Sequence, residues 1–153
     1  MRSLAWLYTG AVVAVAGCTD ATAPMSATSA FGVGMTVTVP GPCLFTCDPI
    51  SAAIHTVGLV VITNSGTTTA YLRGCADPVP TLEEQKDVDG RWVDVGPPPC
   101  PIAPLAIPIA SGATIRVNDL FAAGTRRLRV TVATSPDFAH AATASSASFL
   151  VPQ

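Results

Sequence analysis

The sequence predicts an all-β protein, an antiparallel β-sandwich of about seven to eight strands. Short stretches of β-branched and apolar residues recur along the chain after residue 32, and turn residues separate them. Apart from the first twenty residues, no stretch shows the sustained period of an amphipathic helix. Eight or so short strands in about 120 residues favour a sandwich, and an up-and-down barrel is the alternative.

The first residues have the layout of a secretory signal. A cationic start at Arg2 precedes an apolar run from Leu4 to Ala16. As a helix, this run would rise about 20 Å, less than the hydrocarbon core of about 30 Å, so a permanent membrane span is not expected. A buried N-terminal helix is the alternative, but no polar face interrupts the run.

The segment Val15-Ala16-Gly17-Cys18 ends the apolar run. It resembles the lipobox of bacterial lipoproteins, in which small residues precede an obligatory cysteine. The resemblance implies that residues 1–17 are cleaved and that Cys18 is acylated, which anchors the chain to a lipid bilayer outside the cytoplasm. Several acyl chains hold a protein stably, whereas one holds it only marginally. Thr19, rather than an aspartate, follows the cysteine, and this implies outer-membrane delivery in a Gram-negative cell.

Three regions are expected: a signal peptide over 1–17, the lipidated cysteine and a flexible linker over 18–32, and one β-sandwich domain over 33–153. Cleavage would leave 136 of the 153 residues, enough for one domain with a real core. Charged residues make up 12% of the chain, and no block of like charge occurs. We therefore expect no nucleic-acid partner.

The predicted strands follow one another at short intervals. A clean alternation over 35–39 comes first, and the almost wholly apolar stretch 54–63 indicates a central strand buried on both faces. Asp89-Gly90 is a strong hairpin signal, because both positions tolerate positive φ. The other predicted strands are 68–72, 81–88, 91–95, 114–117, 128–133 and 148–151.

Residues 97–104, with Pro108 beyond them, are too rich in proline for a central strand. We expect an ordered crossing between the two sheets, held by Cys100. A polyproline II surface that binds a partner is the alternative.

Together these elements resemble the small bacterial Ig-like domains of secreted lipoproteins over residues 33–153. The matching segments are Asn64-Ser65-Gly66, Gly74-Cys75, Gly90-Arg91-Trp92-Val93, Cys100, the strand entry 124–130 and Ser148-Phe149. The resemblance implies an Ig-like sandwich and supplies no catalytic residues. The chain departs from it at Arg126, where an aromatic residue often follows Gly-Thr, so no tyrosine can form a corner there.

The five cysteines become four once Cys18 is lipidated. Outside the cytoplasm, an even number of thiols predicts disulfides. Three pairings are possible, and we favour Cys43–Cys47 with Cys75–Cys100. A four-thiolate metal site is the alternative, but zinc ligands usually come as two close pairs, and here one pair is far apart in sequence.

The residue pattern predicts no catalytic, cofactor-binding or metal-binding residues. The two histidines, His55 and His140, accompany no nucleophile motif. The adjacent Glu83 and Glu84 should point to opposite faces of a strand and so should not act together on one substrate.

Two charged patterns suggest ligand sites. The segment Asp87-Val88-Asp89-Gly90 resembles the opening of a calcium loop, but Pro98 stands where such a loop needs glutamate. Arg127 and Arg129 share one strand face, and with Arg116 they could form a basic stripe. We prefer the simpler interpretations, a hairpin turn and a solvated face with weak ion pairs.

These expectations favour a non-enzymatic binding or envelope-structural module, held at the bilayer through Cys18, with an unknown protein or glycan as partner. Phe45 and the proline segment are candidate contacts. The alternative is an inhibitor of an extracytoplasmic protease that presents a disulfide-fixed loop. An enzyme would require polar groups that the fold brings together from distant positions.

Overall fold

The computed structural model describes residues 27–39, 56–75, 78–96, 100 and 105–152, and these residues form ten β-strands and no helix. In chain order the strands are β1 (Val33–Thr38), β2 (Thr56–Asn64), β3 (Ala70–Gly74), β4 (Glu83–Val88), β5 (Arg91–Val95), β6 (Leu105–Ile109), β7 (Thr114–Phe121), β8 (Gly124–Ala133), β9 (Ala141–Ser145) and β10 (Phe149–Val151).

The strands pair in two antiparallel sheets. The smaller sheet has three strands in the order β1-β2-β7. The larger sheet has seven strands and is built around β8: β4 and β3 lie along one edge of β8, and β10 and β9 lie along the other. Strand β5 extends the sheet beyond β4, and β6 extends it beyond β3. The predicted all-β sandwich is confirmed, with more strands than expected.

The connectivity is that of the immunoglobulin fold. In that fold strands A, B and E share one sheet, and strands C, F and G share the other. Here β1, β2 and β7 form the smaller sheet, while β3, β8 and β9 pair in the larger one. The β4–β5 hairpin is inserted between β3 and β6, and it lengthens the larger sheet along β8.

The core fills the space between the sheets. Strand β8 shows how it forms, because alternate residues Leu128, Val130 and Val132 point inward and are fully buried. Each such burial stabilises the fold by about 1.5–3 kcal/mol. The other large side chains that are fully buried in the core are Val33, Val60, Ile62, Leu72, Ile109, Phe121 and Val151.

Strand β2 is buried on one face only, so the expected burial on both faces is wrong. Val60 and Ile62 are 0% exposed, whereas Val57 is 52% and Leu59 36% exposed. The reason is that a sandwich has two layers. Among the described residues, no third layer covers the outer face of either sheet.

Strands β6 and β9 were not predicted. Strand β6 contains Pro108, and the sheet accommodates it because β6 ends the path of the larger sheet and pairs with β3. Strand β9 is rich in alanine, a poor strand former, and it is held by pairing with β8. Since β5 and β6 belong to one sheet, the expected crossing between sheets at residues 97–104 is also wrong.

The packed domain begins before Val33, the residue at which the sequence placed its start. Thr28 and Ser145 exchange two backbone hydrogen bonds, of 3.0 and 2.8 Å, and Ala30 is 8% exposed. The last residues of the expected linker are therefore part of the sandwich. They run antiparallel to β9, which they approach from its C-terminal end.

Candidate functional site

The outer face of the larger sheet carries a polar cluster that three strands build together. Because side chains alternate between the faces of a strand, β8 presents Arg127 and Arg129 outward while Leu128 packs in the core. The register places Gln85 of β4 opposite Arg127 and Glu83 opposite Arg129. The outer cluster comprises Glu83, Gln85, Trp92, Asp94, Arg127 and Arg129.

A nearly buried amide at Gln85 organises the outer cluster. Gln85, 4% exposed, donates from Nε2 to Asp94 Oδ1 at 2.6 Å and accepts from Arg127 Nε at 2.7 Å. Arg129 Nη2 donates to Glu83 Oε2 at 2.6 Å and lies 3.4 Å from Asp94 Oδ1. Each surface ion pair is worth little alone. Here the Gln85 amide joins Arg127 to Asp94, and Asp94 in turn lies beside Arg129. The combined contacts hold both guanidinium groups in defined positions.

Arg127 is the most distinctive member of the outer cluster. Its Cζ lies 4.5 Å from the centroid of the Trp92 ring, a cation–π contact. The pKa of Arg127 is lowered from its ordinary value, first by partial burial and second by the positive charge of the neighbouring Arg129. The negative charge of Asp94 opposes this shift. Its Nε is bonded to Gln85, and the described residues give its two Nη groups no hydrogen-bond partner. Those Nη donors are suited to a carboxylate or a phosphate.

The two adjacent glutamates point to opposite faces, as expected from strand alternation. Glu83 joins the outer cluster, whereas Glu84 lies 3.4 Å from Arg126 Nη1 on the inner side. Since the sheet separates them, they cannot converge on one substrate.

Arg126 forms the corner between β7 and β8. It is 6% exposed, and it donates from Nε to Ala122 O at 3.1 Å and from Nη2 to Ala123 O at 2.8 Å. In immunoglobulin domains, a tyrosine hydroxyl near the start of strand F performs this bonding back to the upstream backbone. Arg126 stands where such domains often carry an aromatic residue, and its guanidinium compensates for the missing tyrosine by bonding two carbonyl groups of the corner.

The basic stripe suggested by three arginines does not form. Arg127 and Arg129 share the outer face of the larger sheet, but Arg116 lies on β7 in the smaller sheet, opposite Val61. The pairing of β7 with β2 puts Arg116 on the other side of the sandwich. In place of a stripe, Arg127 and Arg129 interact with carboxylate and amide groups of β4 and β5.

The disulfide between Cys75 and Cys100 is confirmed. It joins the end of β3 to the residues before β6, with the two Cα atoms 5.6 Å apart. The Thr81 hydroxyl lies 3.3 Å from Cys75 Sγ and 3.7 Å from Cys100 Sγ. The bridge thus fastens the segment that leads into β4 and the outer cluster.

The β4–β5 turn has the geometry predicted for Asp89-Gly90, with φ of 55° and 78°. Asp87 Oδ1 accepts a hydrogen bond from Gly90 N at 2.8 Å, so this carboxylate serves the turn. Among the described residues, no group of three or more His, Cys, Asp or Glu side chains is placed to hold a metal ion.

The exposed His140 lies in the turn between β8 and β9, where Asp137 forms the local contacts. Asp137 Oδ1 accepts hydrogen bonds from the Ser135 hydroxyl and from Ala139 N at 3.1 Å. These bonds, the one from Ser135 foremost, lower the pKa of Asp137 from its ordinary value. They stabilise the turn.

Several predicted residues lie outside the described part of the chain. They are the lipidation site Cys18, the predicted pair Cys43 and Cys47, the candidate contact Phe45, and His55. In the proline segment, the described residues include Cys100 but not 97–99 or 101–104. The loop between Cys43 and Cys47, which the protease-inhibitor alternative requires, also lies outside the described residues.

A comparison with models of known protein families and with curated protein sequences finds no match to this chain. Within the described ranges, no helix has the length and apolar character needed to cross a bilayer.

Sequence reasoning overlooked Gln85 and Trp92 as site residues. Neither stands out by type or spacing, because their partners lie across strands. A usable signal was present: a two-residue turn at Asp89-Gly90 pairs Asp87 with Trp92 and Gln85 with Asp94, and this is the register observed. The further pairing of Gln85 with Arg127 could not be obtained in this way, because no short turn joins β4 to β8.

Proposed function

We propose that this chain is a lipid-anchored, extracytoplasmic binding module without enzymatic activity. In this proposal acylated Cys18 holds the Ig-like sandwich at a membrane, and the outer cluster binds a protein or glycan partner. The observation that carries the binding role is the stack of Arg127 on Trp92, fixed in place by Gln85.

The chemistry of the outer cluster supports recognition. Trp and Arg are the residue types most enriched at the energetic centres of interfaces. A side chain already held in its bound geometry loses less entropy on binding, and Arg127 is held by both Trp92 and Gln85. Its Nη donors would bind an acidic group of the partner, while the exposed Asp94 would meet a donor.

The anchor is tested by feeding a palmitate analogue to bacteria that express the full chain and by mass spectrometry of the mature protein. We expect the label on the wild-type protein and an N-terminus at an acylated Cys18. The Cys18→Ser variant should carry no label and should leave the membrane fraction. A mature protein that begins at Met1 with a free Cys18 thiol would contradict the anchor.

The binding surface is tested by a photo-crosslinking residue at Thr131, on the outer face of β8 beyond Arg129, in cells. Thr36, on the outer face of the smaller sheet, is the matched control position. We expect a discrete adduct from position 131 that disappears when Trp92→Ala and Arg127→Ala are added. An adduct that survives both substitutions, or that position 36 yields equally, would place the binding surface elsewhere.

A further inference from the structure

The end of the sandwich that contains the β7–β8 corner exposes several apolar side chains. Three large apolar side chains of the described residues are more than half exposed: Val57 at 52%, Leu120 at 58% and Leu150 at 70%. Val57 and Leu120 are direct partners across β2 and β7 on the outer face of the smaller sheet. Leu150 lies opposite Thr125, near the start of β8, on the outer face of the larger sheet.

All three side chains lie at the same end. Leu120 is the penultimate residue of β7, and β8 starts after the short corner at Ala122 and Ala123. Leu150 pairs next to that start. We call the set Val57, Leu120, Ala122, Ala123 and Leu150 the corner rim.

The backbone of the corner rim is satisfied from inside the protein. Arg126 donates to the carbonyl oxygens of both Ala122 and Ala123, at 3.1 and 2.8 Å. Immunoglobulin domains make the same bond with a tyrosine, so this bonding does not by itself indicate a membrane. It does mean that contact with lipid would leave neither carbonyl group without a partner, which would cost free energy.

The described chain enters the domain from the side of this same end. Thr28 pairs antiparallel with Ser145, so the described chain, which starts at residue 27, begins beside the C-terminal end of β9, the end nearer to β10 and the corner rim. Nine residues separate Cys18 from Thr28. Even fully extended, this segment spans at most about 35 Å, roughly the length of the ten-residue strand β8.

We propose that the corner rim rests in the headgroup region of the bilayer that holds the acyl chains of Cys18. The inference depends on the proposed lipid anchor, and it adds an orientation: the corner end faces the lipid, and the Asn64 end of the sandwich faces away. Apolar side chains at such a boundary would strengthen the membrane binding provided by the acyl chains, because the anchor already keeps these side chains close to the membrane.

The test places a tryptophan in the corner rim of the full, lipidated protein and reconstitutes it in phosphatidylcholine–phosphatidylglycerol vesicles. Leu120→Trp and Leu150→Trp are the reporters. Thr114→Trp, at the far end of the same face of β7, and Thr143→Trp, exposed on β9, are their matched controls. Wild-type Trp92 supplies the background that is subtracted from each variant.

Interfacial side chains lie about 5–10 Å into the boundary between headgroups and acyl chains, so lipids brominated on the upper acyl chain should quench both rim indoles by roughly half. The two control indoles should keep their emission. Far-ultraviolet circular dichroism verifies that each variant keeps its strands.

Flotation of the vesicles separates the two proposals. Protein that floats with equal quenching at rim and control positions, or with none, overturns the orientation and leaves the anchor standing. Protein that does not float overturns both. A rim emission that shifts to the blue without bromine quenching identifies a protein, including a second copy of this chain, as what covers the rim, and this also overturns the lipid contact.

Discussion

Asn64 and Ile109 join the two sheets through a buried hydrogen bond. Asn64, the last residue of β2, donates from Nδ2 to Ile109 O of β6 at 2.9 Å. The same nitrogen donates to Thr68 O at 2.8 Å, and Oδ1 accepts from Gly66 N at 2.9 Å. The side chain is 0% exposed. One amide therefore ties the β2–β3 turn to the larger sheet at the end remote from the corner rim.

Replacing Asn64 by alanine should lower the free energy of unfolding by about 3 kcal/mol, because it leaves two carbonyl groups and one amide without their partner. Urea unfolding of the processed protein measures the loss. Asn118→Ala, on the exposed face of β7, is the control and should stay within about 0.5 kcal/mol of wild type. Equal midpoints for the two variants would show that Asn64 does not hold the turn.

Arg126→Met should destabilise the protein by about 3 kcal/mol, because Glu84 loses its cation and two corner carbonyl groups lose their donor. Arg126→Lys should recover only part of the loss, since an ammonium cannot reproduce the planar fork. Thermal unfolding followed by circular dichroism compares them with Arg91→Met on the exposed hairpin. A full rescue by lysine would mean that charge alone matters at the corner.

Removing the disulfide with Cys75→Ala and Cys100→Ala together should cost about 3 kcal/mol, because the bridge closes a loop of 25 residues in the unfolded chain. Chemical unfolding gives the value. Peptide mapping without reduction should recover Cys75 joined to Cys100. A peptide that joins Cys75 to Cys43 or Cys47 would contradict the pairing.

Gly58→Ala should cost about 1–3 kcal/mol by overpacking the core. An added Cβ would lie 2.6 Å from Phe121 Cε2, and that fully buried ring packs edge-on against Phe149 at 5.1 Å between centroids. Gly34→Ala is the matched control, since a Cβ there meets nothing within 4 Å. Adding Phe121→Leu to Gly58→Ala should cost less than the two single losses combined, and strict additivity would argue against the contact.

Ser135→Ala should raise the pKa of Asp137 toward its ordinary value, because it removes the hydrogen bond that lowers the pKa most. A carboxyl group whose pKa is depressed by folding stabilises the protein above the unfolded value, and this contribution disappears as the pH falls through the folded value. Carboxyl resonances followed by NMR between neutral and acidic pH give both pKa values. Identical titrations would show that the hydroxyl bond does not form in solution.

Local pattern was sufficient for much of the fold, and particular residues show where it was not. The alternation over 35–39 and the turn at Asp89-Gly90 are visible in a few neighbouring residues, and both are observed. Strand β9 could not be seen, because alanine has weak strand propensity and only the pairing with β8 holds it extended. The outer cluster was seen only in part, as two arginines that share a face.

The sequence by itself determined the all-β class, the hairpin turn and the opposite directions of Glu83 and Glu84. It left three cysteine pairings open, and the structure shows the Cys75–Cys100 bridge that we favoured. The three determined features follow from φ preferences and from the period of two along a strand, whereas the count of thiols predicts only that disulfides form. Only the tertiary structure decided that Arg116 lies away from Arg127, and that Arg126 replaces a tyrosine at the corner. The physical reason is that contacts between strands distant in the chain depend on how two sheets pack around a shared core, which no short segment encodes.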